Sequence, residues 1–164
     1  MNRNILASTM VATVVAYAIS LPASGQTHQH EHMQMGAAPP TKVTRQPVKF
    51  PPQLREHELA NMRDHLSTLA QIQAALSRNA IDEAADLAEK RLGMSSFGLH
   101  GAHEVARYMP AGMQEMGSEM HRAASRFALE AKNAGATGDI RPALAALATV
   151  TQQCVACHAA YRLK

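Results

Sequence analysis

Apolar positions recur at helical spacing from about residue 51 almost to the C-terminus, while residues 26–50 show no such period. From about Gln53 to Arg78, Leu59, Met62, Leu66, Leu69, Ile72 and Leu76 fall on one side, which predicts a first long helix. A second runs from Ile81 or Asp82 to Leu92. Acids occupy its first turn, Lys90 and Arg91 its last, and Gly93 lies just beyond. Residues 94–109 are broken by Gly98 and Gly101, with room for a short helix over Val105–Met109. A third helix is expected from near Pro110, a good first-turn residue, to Asn133–Gly135, and a fourth from Asp139 or Pro142 to about Arg162. No strand pattern appears. The fold class expected is all-α, an antiparallel four-helix bundle over residues 51–164.

The core of such a bundle would be unusual. Aromatic residues make up 4% of the chain and Trp is absent. The last helix sets Ala143, Ala145, Ala146 and Ala148 around Leu144 and Leu147. Helices lined with small residues either pack very closely or enclose something large.

Residues 1–25 have the layout of a secretory signal peptide: a polar start with Arg3, an apolar run from Ile5 to Leu21, and Ala23-Ser24-Gly25 before a cut preceding Gln26. A retained anchor is the alternative, but the run is near the lower length limit and contains Ser8, Thr9, Thr13 and Ser20. No other stretch is expected to be apolar enough to cross a bilayer, and the mature chain is expected in the periplasm. The net charge of +3 comes from the leader and tail, because residues 51–164 hold 12 Lys and Arg against 12 Asp and Glu. No basic face or aromatic interleaving suggests nucleic acid.

The two cysteines, Cys154 and Cys157, are followed directly by His158. A disulfide here would close so small a loop that it would constrain almost nothing. A thioredoxin-like pair needs a preceding strand and a helix N-terminus. A structural zinc site needs further spaced ligands. The remaining reading is c-type haem attachment, in which two thiols form thioethers with the haem vinyl groups and the adjacent imidazole reaches the iron.

The segment Cys154-Val155-Ala156-Cys157-His158-Ala159-Ala160-Tyr161-Arg162, at the end of an all-α chain, resembles the haem-binding end of class II cytochromes c, the group of cytochrome c-prime and its low-spin relatives. The match is specific over these nine residues, and helix order extends it to about 51–164. The resemblance implies one covalent haem c on Cys154 and Cys157, with His158 as proximal ligand. It also implies that the first helix meets the distal face, with Met in low-spin members and an apolar side chain in cytochrome c-prime. The first helix supplies two candidates for that face: Met62, within about 10° of the centre of the apolar stripe, and His65, about 50° off it. Met62 is the expected distal ligand, although Met on an apolar face is also ordinary core filling.

The expected function is one-electron transfer to redox partner proteins, not enzymatic catalysis, with no stable membrane insertion and with homodimer formation left open. A five-coordinate, gas-binding protein is the alternative. Residues 26–50 are expected to be an ordinary disordered polar tail, but a periplasmic copper-handling protein is another alternative, since His28, His30, His32, Met33 and Met35 offer imidazoles and thioethers suited to copper. Met109, Met113, Met116 and Met120 step along one face of the third helix and are expected to pack around the haem. His100, His103 and His121 are expected to be surface or hydrogen-bonded residues. Arg122, Arg126 and Arg162 are candidates for pairing with haem propionates.

Overall fold

The structure, a computed structural model, describes residues 44–164, which fall within one compact unit. The signal-peptide segment 1–25 and the tail cluster His28, His30, His32, Met33 and Met35 lie outside the described residues. The chain runs β1 (Gln46–Val48), α1 (Pro52–Ser77), α2 (Ile81–Arg91), a 3₁₀ turn (Met94–Ser96), α3 (Ala102–Ala106), α4 (Ala111–Thr137), α5 (Arg141–Ala160) and β2 (Tyr161–Leu163). The domain is predominantly helical, in agreement with the expected class.

The helix ends follow local chemistry. Pro52 at the start of α1 sacrifices no hydrogen bond, because a first-turn N–H has no intrahelical acceptor. The turn into α2 places Asn79 at φ +59°, a left-handed conformation that Asn tolerates. Asp82 and Glu83 at the start of α2, and Lys90 and Arg91 at its end, complement the helix dipole. α4 continues past Gly135 and stops at Gly138, whose φ of +78° lets its N–H close on the Ala134 carbonyl at 2.8 Å. The Asp139 carboxylate then accepts the Arg141 backbone N–H at 3.1 Å, opening α5.

The expected close packing and the expected enclosure both occur, at different places. Ala84, Ala85 and Ala88 of α2, Ala123, Ala124 and Ala131 of α4, and Ala143 of α5 are buried in one seam. Their small side chains bring the backbones close around Phe127, Ile72 and Val150, the largest fully buried apolar side chains. α4 packs mainly on α2 and α5, and α1 mainly on α2. The C-terminal half of α1 joins this seam through Ile72 and Ala75. Its N-terminal half does not, and there the elements part around a cavity of about 550 Å³.

Two sequence expectations need correction. Strands are present: β1 pairs with β2 in parallel, with Gln46, Pro47 and Val48 opposite Tyr161, Arg162 and Leu163. Each is three residues long, too short to show alternation, and each gains its hydrogen bonds only from a partner more than a hundred positions away. Accordingly α5 ends at Ala160, not near Arg162, and order begins before residue 51. Val48 and Phe50 are buried with Val105 and Met113 in a second apolar cluster, against which Cys157, Tyr161 and Leu163 pack. The second correction concerns α5, which is long and apolar enough, by length and composition alone, to cross a membrane. Its apolarity is largely alanine, and Ala143, Leu147 and Val150 on one face are buried in the domain.

Candidate functional site

The cavity collects the chemistry of the chain. The last turns of α5 bring Cys154, Cys157 and His158 to one wall, because positions three and four apart share a helix face. Met62 of α1 lines the same cavity. Both thiols are partly buried, and the Cys154 thiol lies 3.5 Å from the Val150 carbonyl of the preceding turn. Burial pushes both thiols above their usual pKa, and at Cys157 the charges of Cys154 and Glu58 add to the effect. The thiols are therefore neutral near pH 7 and not poised as thiolate nucleophiles. His158 is exposed at the cavity edge.

The methionine stripe of α4 behaves as its spacing predicts. Met109, just before α4, and Met113, Met116 and Met120 on it all line the cavity, with Met113 and Met120 buried. Flexible thioethers conform to a flat aromatic surface and make favourable sulfur–ring contacts. The volume is within the roughly 300–1,000 Å³ of cofactor sites. None of Arg122, Arg126 and Arg162 lines the cavity, and Arg122 is held by Glu119 at 2.6 Å. Glu58 does line it, with its carboxyl raised above the usual range by burial, against the opposing effects of Asn61 and His57.

A second constellation was not legible in the sequence. His65 of α1, His100 of the segment before α3 and His121 of α4 converge on the cavity wall, each offering a nitrogen within 4.8 Å of the others. His65 Nε2 lies 3.4 Å from His100 Nδ1, and the rings meet edge-on at 4.5 Å between centroids. His121 donates its Nδ1–H to the Leu92 carbonyl at 2.7 Å. Burial lowers the pKa of all three, that of His65 to about 4, with the neighbouring imidazoles adding to the effect at His65 and His100. The trio is thus neutral at pH 7. Sequence separations of 35 and 21 residues carry no local motif. The available hints were only that His65 flanks the apolar stripe and that His100 precedes a glycine.

That glycine sets the position of His100. Gly101 has φ +59°, and a Cβ there would stand 3.0 Å from His57 Nε2. The His100 carbonyl accepts His57 Nε2–H at 3.1 Å and Asn61 Nδ2–H at 3.0 Å, tying the segment to α1. Gly101→Ala is therefore expected to cost about 1–2 kcal/mol from the left-handed conformation alone. Urea denaturation measures this, and an unchanged midpoint would contradict the assigned backbone role.

Compared with known protein families, curated proteins and solved structures, the chain matches none.

Proposed function

We propose that this chain is an exported mono-haem c-type cytochrome whose role is one-electron transfer. The observation that carries the reading is that Cys154, Cys157 and His158, adjacent on α5, share one cavity with Met62 of α1. In this reading α1, α2, α4 and α5 form an antiparallel four-helix bundle. The three-residue connections 78–80 and 138–140 favour that arrangement, since short links make consecutive helices antiparallel neighbours.

The haem would supply an iron that cycles between ferric and ferrous states. Cys154 and Cys157 would tether the ring by thioether bonds, and their neutral, partly buried thiols face the cavity it would fill. His158 would ligate from one side and Met62 from the other. A thioether ligand favours ferrous iron and raises the potential. The α4 methionines and Val105 would exclude water from the ring, and the exposed end of α5 would present an edge to redox partners. Export is part of the proposal on sequence grounds alone, and copper handling by the tail remains the alternative reading.

The test is the visible spectrum of the purified protein, oxidised and reduced, with and without CO. Sharp reduced α and β bands unaffected by CO are expected, with Met62→Ala converting them to a broad high-spin spectrum that shifts on CO addition. A wild-type spectrum already high-spin and CO-sensitive would replace the carrier by a gas-binding protein. Absence of haem after expression with a competent maturation system would reject the cytochrome altogether.

A further inference from the structure

We propose that His65, His100 and His121 form a second metal site, binding a divalent late first-row transition ion of the zinc class through three imidazoles, with the remaining coordination position open to the cavity. The inference goes beyond the haem reading and does not require it: none of its ligands is Cys154, Cys157, His158 or Met62.

The first argument is geometric. Tetrahedral zinc with nitrogen ligands at about 2.0–2.1 Å sets those nitrogens about 3.3–3.4 Å apart. His65 Nε2 and His100 Nδ1 already stand at 3.4 Å. All three ligand nitrogens lie within 4.8 Å of one another. Closing any of them to the same tetrahedral edge takes at most about 1.4 Å, within reach of small side-chain rotations.

The second argument concerns what surrounds the rings. A ligating histidine normally gives its other N–H to a carbonyl or carboxylate, which fixes tautomer and orientation. His121 does so: Nδ1–H donates to the Leu92 carbonyl, which leaves Nε2 as the nitrogen carrying a lone pair. The Phe97 ring packs on His121 with centroids 4.6 Å apart, restricting rotation. His100 is held through its backbone by His57 and Asn61 of α1. His65 follows Asp64, whose carboxylate pairs with Arg91 of α2 and whose carbonyl accepts the Thr68 hydroxyl at 2.9 Å. The His121 ring and the His100 backbone are thus restrained independently of the ion, and His65 is placed by α1.

The third argument is chemical. Imidazole suits zinc, copper, nickel and iron, and a metal takes the neutral ring. Three protein ligands with one open position is the pattern of sites that bind a further small ligand, whereas structural zinc sites use four.

Zinc chloride titrated calorimetrically into the metal-depleted full-length protein tests this. One zinc equivalent is expected to depend on the trio: His100→Ala and His121→Ala should each weaken it by at least about a hundredfold, the upper range for loss of a supporting group. His65→Gln keeps a polar side chain of similar length and guards against misfolding, with helicity checked by circular dichroism. A folded His65→Gln binding the same number of zinc ions at unchanged affinity would overturn the proposal. So would loss of all zinc binding on replacing His28, His30 and His32 together by alanine. Cys154→Ser/Cys157→Ser separates the two readings, since its absorption spectrum reports haem while its zinc stoichiometry, expected to stay at the wild-type value, reports the trio.

Discussion

Cys154→Ser/Cys157→Ser protein is expected to hold no haem that survives denaturation, if wild type carries it as proposed. In that proposal each thioether would depend on one sulfur, and serine offers no equivalent nucleophile. The single variants should differ from the double in degree, retaining haem through one bond if at all. Haem-stained denaturing gels read this directly: a band for wild type, a weaker band or none for each single variant, and none for the double. Haem retained under denaturation in the double variant would mean that attachment lies elsewhere or does not involve thiols. The fold should tolerate the change better than the cofactor does. Both sulfurs are only partly buried, and the Ala seam around Phe127 lies in a separate cluster from Cys157. Cys154 packs against the edge of that seam, so a small loss of stability is expected at that position.

The second large effect is a fall in stability with acid. The His65 pKa is lowered to about 4 in the folded chain, against about 6.5 when unfolded. Between those values the unfolded chain binds more protons, so stability rises with pH. The contribution is complete above pH 6.5 and is lost as pH falls through about 4. At 1.36 kcal/mol per unit, His65 alone is worth about 3 kcal/mol over that window. His100 and His121 shift in the same direction and steepen the loss. Glu58 works against them, because its raised pKa favours the folded state at low pH. The carboxylates of Asp86, Glu89, Glu119 and Asp139, all lowered, add their own losses near the bottom of the range. Denaturant unfolding at pH 7, 5.5 and 4.5 is expected to show this decline, and His65→Gln should flatten it. An equal decline in His65→Gln would show that groups other than His65 govern acid sensitivity. Bound zinc should deepen the decline, since ligands must be neutral to hold it.

The helices were legible because their signal is local. Stripe spacing in α1, the acidic start and basic end of α2, and Pro110 before α4 each place an element within a few residues. The reading of α4 stopped short at Gly135, because one glycine inside a well-packed helix costs only about 1 kcal/mol, which tertiary contacts offset. Gly138 ends the helix instead, by adopting a positive φ. The strands were invisible for the opposite reason. Gln46–Val48 and Tyr161–Leu163 have no pattern of their own and are ordered by each other and by the burial of Val48 beneath them. The segment 94–109 resolved into a 3₁₀ turn and the five-residue α3, each too short for periodicity to register.

The sequence by itself determined the helical class, the Cys154–His158 motif and the methionine face of α4, because each is set by spacing within a few turns. It left open whether the alanine-rich helices pack closely or enclose a guest. Only the tertiary structure decided that, since α4 does both: its alanines meet α2 and α5, while Met113, Met116 and Met120 face the cavity. The same holds for the histidines. His65, His100 and His121 are far apart in the chain, and no local rule links them. Their convergence depends on how α1 and α4 cross the segment between them, and on Gly101 turning that segment inward. Contacts between elements are properties of packing, and packing integrates the whole chain.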